Sequence, residues 1–308
     1  MAIINNANPG SQINLLCMIY RMIFRNNGKL SVEEITSICR PDNLLNKKDH
    51  LKRFPDNLKF WMKQEHQLWC ENSESKLILS ELTKSSDPLP SDSDPLPSDI
   101  AIVTNQALFK RKIQTISDQD NTDTVSFFRS LACILASDRF VFPIDERIDN
   151  LSLDSFLSDL LPSYDPLNDS EKTTFLQYCD FLGFFENQGS AYVVDSTRAI
   201  LGILPEIFLT HNTLSIASFI RSLGDKISIL DTGIFREEVE KSMIESGWKK
   251  HSENYVSKSL SHALFRLSRM RKIRFITTSD DIEALSLQLP DNKAQVVSSI
   301  HYLSGDGQ

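Results

Sequence analysis

The chain has 308 residues, of which 41% are hydrophobic and 24% charged, with a formal net charge of −8. That length allows about two domains or three small ones, and the composition excludes wholesale disorder and fibrous repeats. The greasiest run, Ile13 to Phe24, is broken by Asn14 and Arg21, and no basic-then-apolar leader opens the chain, so a cytoplasmic protein without a membrane span is expected.

In chain order, Ser11 caps a helix striped by Leu15, Leu16, Ile19, Met22 and Ile23, which Asn26-Asn27-Gly28 ends. Ser31 and Glu34 form a capping box for a second helix carrying Val32, Ile35 and Ile38, stopped at Arg40-Pro41. A third helix falls between Lys47 and Gln64, with Pro55 either starting or kinking it. The stretches Gln67 to Glu71 and Lys76 to Leu79 then read as a β-hairpin. Three helices and a hairpin make a winged helix-turn-helix over residues 1–82.

A tandem duplication follows, Ser86-Asp87-Pro88-Leu89-Pro90-Ser91-Asp92 and then Ser93-Asp94-Pro95-Leu96-Pro97-Ser98-Asp99. Its prolines and like charges predict an extended linker over residues 83–100. The middle unit, 101–210, begins its helices at Thr124, Ser152 and Ser170. The last of these ends at Gly183, before a hairpin of Phe184 to Glu186 and Ala191 to Val194. In the C-terminal unit, 211–290, Leu214, Ala217, Ile220 and Leu223 stripe a helix ended by Gly224. Phe235, Val239 and Met243 stripe the next, and Val256, Leu260, Leu264 and Leu267 the third. A hairpin of Ile273 to Thr277 and Leu285 to Leu289 closes it, leaving 291–308 as a partly mobile tail. The fold expected is α+β and mainly helical, with three tandem winged helix-turn-helix-like units, each ending in a β-hairpin.

Charge is uneven along this chain. Residues 1–80 sum to +3 and 211–308 to +1, while 81–210 carry −12. The ends are therefore the candidates for meeting an acidic partner, and the middle is a protein-docking, spacing or solubilising unit. In a winged helix the third helix enters the major groove and the wing reaches the backbone. The C-terminal third helix places Lys258, His262, Arg266 and Arg269 within about 80 degrees of arc, and Arg271, Lys272 and Arg274 continue the charge into the wing. Two readings stay open for this face: a DNA contact, or a basic surface that is solvated or matched to an acidic protein. In the N-terminal unit, Lys48, Lys52, Lys59 and Lys63 align only if one helix runs through Pro55. Trp61 and Trp69 are expected to fill the core and the base of the wing.

No phosphate-cradling glycine loop, nucleophile elbow or HExxH helix occurs. Cys17, Cys39, Cys70, Cys133 and Cys179 form no CxxC pair, and the six histidines are scattered. Free thiols are expected, with no catalytic residues, no metal, no cofactor and no small-molecule substrate.

The opening Met1-Ala2-Ile3-Ile4-Asn5-Asn6, the helical run after Gly10, Phe181-Leu182-Gly183-Phe184, Val194-Asp195-Ser196-Thr197-Arg198-Ala199-Ile200, Leu204-Pro205 and the unit around Leu264 to Leu267 resemble DpdG. The resemblance implies an accessory protein encoded with bacterial DNA 7-deazaguanine modification and restriction operons. It would work with an operon-encoded helicase or nuclease on foreign DNA, and it transfers no catalytic residues. The function expected is a non-catalytic DNA-binding or adaptor subunit of a defence complex. The alternatives are a protein scaffold resembling the tandem winged-helix partners of condensin-like ATPases, and a transcriptional regulator.

Overall fold

The computed structural model describes residues 3, 12–39, 48–63, 66–80, 94–109, 124–137, 139–143, 153–161, 169–250, 252, 254–279, 281–288 and 293–303. It is an α+β chain, about half helical, with small antiparallel sheets. Two compact units divide it. One holds Met1–Arg111 with Thr122–Thr124, and the other holds Lys112–Asn121 with Val125–Gln308.

The first unit contains α1 (Ile13–Arg25), α2 (Val32–Cys39), α3 (Lys48–Phe60), the hairpin β1 (Trp69–Glu71) and β2 (Leu77–Leu79), and α4 (Pro97–Phe109). Ser11, the expected cap, lies outside the described residues. The capping box is formed: Glu34 N–H donates to Ser31 Oγ at 3.2 Å, and Ser31 N–H to Glu34 Oε2 at 2.7 Å. A hydrogen bond from Lys76, with those from Ser31, holds the Glu34 carboxyl down at about 2. Gly28, at φ +72, gives its N–H to Leu77 O, and Leu77 N–H goes to Leu30 O, so the turn after α1 is stitched to the hairpin. Trp69 Nε1 donates to Leu58 O, and Trp61 is fully buried against Phe60 and His66, so both tryptophans fill core positions.

One open question is decided here and one feature departs from the sequence reading. Of the two places open to Pro55, the start of the third helix is excluded, because Pro55 lies inside α3. The second copy of the duplication is partly helical, because Pro97-Ser98-Asp99 form the first turn of α4. Proline lacks only a donor that this turn leaves unused, and Asp99 accepts the Leu96 N–H. Arg21 holds Pro95 O, and Arg25 pairs with Asp94, so this stretch is tied to α1.

The second unit contains α5 (Val125–Ala136), β3 (Val141–Pro143), α6 (Leu153–Leu160), α7 (Asp169–Phe181), β4 (Phe185–Asn187), β5 (Ala191–Val194), α8 (Thr197–Leu201), α9 (Leu204–Ile207), β6 (Thr213–Ser215), α10 (Ile216–Lys226), α11 (Ile234–Glu245), α12 (Lys258–Arg269), β7 (Ile273–Ile276), β8 (Leu285–Gln288), β9 (Ala294–Val297) and β10 (Ser299–Tyr302). Its two three-stranded sheets run β3-β5-β4 and β6-β10-β7, and in each the last strand in the chain takes the centre. The middle and C-terminal segments share one core. Apolar α5, buried along most of its length, packs on α11 with Phe128 edge-on to Phe235, and α12 packs on α8 and α5.

Four C-terminal expectations are corrected. The strands expected to pair with each other do not: β7 pairs with β10, Arg274 opposite His301, and β8 pairs with β9, Leu285 opposite Val297. Residues 291–308 are therefore not simply a tail, since two strands lie within them and β10 is the central one. Leu214 belongs to β6 rather than a helix, and Gly224 sits inside α10 instead of ending it. Gly224 serves close approach, for a Cβ there would lie 2.6 Å from Gly233 N and 2.8 Å from Asp231 O.

Gly233, at the N-cap of α11, is under the same constraint, as an added Cβ would sit 2.2 Å from Ser228 O. Since that clash is with backbone, Gly233→Ala should destabilise the second unit by about 1–3 kcal/mol in denaturant unfolding. A loss under about 0.5 kcal/mol would contradict this packing.

Candidate nucleic-acid interface

The residues expected to meet DNA in the C-terminal unit fall into two groups. On α12, Ser257 caps the N-terminus by accepting from Leu260 N–H, and Leu260, Leu264 and Leu267 are buried, as the stripe requires. The rest of the helix is only partly open to solvent. Ser259 Oγ donates to Leu135 O at 2.6 Å, which ties α12 to α5. The His262 ring lies 6.2 Å from that of Phe140, and its Nδ1 is buried with no partner among the described residues. Arg266 Nη1 bonds Glu186 Oε2 at 2.7 Å and also reaches Asp195. Lys258, at the first turn, is half-buried.

Glu186 stands on β4 opposite Val193, and Asp195 follows β5 directly. Asp195 is 4% exposed and accepts the Thr197 N–H at 2.9 Å, so one carboxylate takes the first N–H of α8 and holds Arg266. The hydrogen bond to Glu186 and the charge of Asp195 push the Arg266 guanidinium up. These acids were the residues that sequence reading missed. The pairs span 80 and 71 positions, and the only trace was Asp195 within the stretch that carries the family resemblance.

The second group lies where α12 ends. Arg269, Arg271 and Arg274 are exposed and Lys272 is half-buried, with no ion pair among the described residues for any of the four. Lys272 comes just before β7 and Arg274 lies on it, and the register adds His301 beside Arg274 and Thr213 beside His301. His301 Nδ1 and Thr213 Oγ1 lie 2.8 Å apart. No carboxylate occurs in β6, β7 or β10.

Arg271 has φ +55, in the left-handed region where a side chain costs about 1–2 kcal/mol. Its N–H bonds Ser268 O, and Lys272 N–H bonds Leu267 O. That is the left-handed cap of a helix C-terminus. The same two bonds end α7, from Gly183 and Phe184, and α11, from Gly247 and Trp248. Those helices use glycine at φ +86 and +91, whereas α12 uses arginine.

In the first unit, Lys48, Lys52 and Lys59 share α3, but Lys63 lies beyond its end, so the four do not line one helix. Lys59 is exposed, and Lys63 Nζ stands 5.3 Å from the centre of the Phe60 ring. The side chains of Lys48 and Lys52 lie outside the described residues.

All five cysteines are free thiols. Cys17, Cys133 and Cys179 are buried, and burial pushes the Cys133 thiol up to about 12, far from a reactive thiolate. No described helix is long and apolar enough to cross a membrane, and the described residues hold no group of three or more His, Cys, Asp or Glu suited to a metal ion.

Removing Arg266 leaves the buried Asp195 carboxylate without its cation. Arg266→Ala should therefore lower stability by about 1–3 kcal/mol in thermal or denaturant unfolding. An unchanged midpoint would show that the contact carries no weight.

No curated protein and no solved structure matches this chain. A family model described as DpdG-like matches residues 1–281, and on that span the chain belongs to the DpdG-like family.

Proposed function

We propose that the chain is a non-catalytic accessory subunit of a bacterial DNA modification and restriction system, contacting DNA through Arg269, Arg271, Lys272 and Arg274. The family supports the operon setting. The observation that carries the DNA reading is the run of cations without ion-pair partners at the end of α12, beside a sheet whose strands contain no acid. In this reading each group of three helices with its small sheet is a winged-helix-like unit. The contact is made by the wing side, which neutralises phosphates. The rest of the second unit is an adaptor surface for a helicase or nuclease of the same operon, and the protein works in the cytoplasm.

A second reading rests on a different observation. Part of the outer face of α12 is engaged by the protein's own Glu186, Asp195 and Phe140, and a winged helix with its third helix partly engaged fits a scaffold that grips protein. The two readings separate in one titration. Fluorescence anisotropy of a labelled duplex across a salt series should show binding that weakens steeply with salt. Arg269→Glu with Arg274→Glu should reduce the affinity at least about tenfold and flatten the logarithmic salt slope by about 2, at roughly 0.9 per lost contact. Unaltered affinity in that variant would remove the strip from the interface, and no binding at low salt would favour the scaffold.

A further inference from the structure

We infer that the basic strip grips the phosphodiester backbone without reading bases, and that Arg271 is a phosphate-binding residue kept in a conformation suited to glycine. This rests on the DNA reading above and deepens it by naming what part of the nucleic acid is recognised.

Two independent observations lead there. The first concerns what α12 can offer a groove. Base readout needs an amide or guanidinium fork free on the face of a helix or ribbon that enters the groove. On α12 the central guanidinium, Arg266, is engaged by Glu186 and Asp195, His262 lies against Phe140, and Ser259 is bonded to Leu135 O. The cations left free sit at the last residue of the helix, in the turn and on the first strand after it, where a duplex meets the protein with its backbone. The strip's neighbours, His301 and Thr213, are short polar groups of the kind that bond phosphate oxygens.

The second observation is the choice of residue in the turn. Three helices of this unit end with one motif, hydrogen bond for hydrogen bond, and two of them place glycine at its left-handed position. Gly183 has a packing reason, since a Cβ would fall 2.7 Å from Ala199 N. At Gly247 a Cβ would meet nothing, so that glycine answers to the backbone alone. Position 271 has the same backbone demand but carries the longest cationic side chain, exposed and without an ion pair among the described residues. Strain at an exposed side chain with no ion pair or side-chain hydrogen bond among the described residues points to a residue kept for a ligand. Arginine suits a phosphate diester here, because its planar fork donates two parallel bonds and its charge persists at any working pH.

The test is Arg271→Gly in the full chain, with thermal unfolding as the control for folding. The variant should unfold no lower than the wild type, because glycine relieves the left-handed turn. Its binding to two duplexes of unrelated sequence should weaken to the same degree on both, with the logarithmic salt slope reduced by about 0.9. Wild-type binding with an unchanged slope in Arg271→Gly would overturn the role of Arg271 and leave the DNA reading standing. Wild-type affinity differing more than about tenfold between the two duplexes would overturn recognition without bases. Absence of wild-type binding at low salt would remove the DNA reading itself, and this inference with it.

Discussion

A guanidinium buried to 2% exposure sets the terms for the second unit. Arg236, in the first turn of α11, bonds Glu240 one turn on through Nε at 2.6 Å and stands 3.8 Å from Asp231 through Nη2. A buried charge of this kind persists only when carboxylates surround it, and removing one partner leaves the rest uncompensated. Burial pushes the Glu240 carboxyl up, but the charge of Arg236 and the hydrogen bonds from Lys250 and Arg236 outweigh it, so the net shift is downward. Asp231 then does a second job. It accepts both the N–H and the hydroxyl of Ser257, each at 2.7 Å, and so fixes the residue that caps α12. The position of the third helix thus follows from how one arginine on the second is neutralised.

From that anchor α12 is held along its length. Ser259 ties its first turn to α5, the leucines fill the core, and Arg266 in its last turn is drawn to Glu186 and Asp195. Each contact fixes the helix and engages one group within the fold. Basic residues nominally on one face therefore separate into a structural set and a free set, and the free set begins where the helix stops. There the cap at Arg271 and the pairing of β7 with β10 bring cations, a histidine and a threonine together.

What could be read from the sequence depended on the range of the interaction. The Ser31 and Glu34 box, the leucine stripe of α12, the glycine after α7 and the hairpin of β4 and β5 are local patterns, and each was legible. The partner of β7 was not, because alternation identifies a strand without naming its neighbour, and β10 arrives only after the β8 and β9 pair has intervened. Gly224 resembles a helix stop in sequence, but the close approach of Gly233 that requires it is set by the tertiary fold. For the candidate site, the cluster of cations was visible as composition. Its division between fold and surface was not, since the deciding acids lie in a different segment and the left-handed turn at Arg271 leaves no mark in residue type.

The most direct measurement is amide hydrogen exchange on the full chain with and without a saturating duplex at low salt. Added protection should be confined to the peptides spanning residues 269–276 and 299–302, with the body of α12, residues 258–266, exchanging at the same rate in both states. Protection or exposure appearing along 258–266 on binding would contradict the account, because it would mean that the third helix leaves its acidic anchors to meet the ligand.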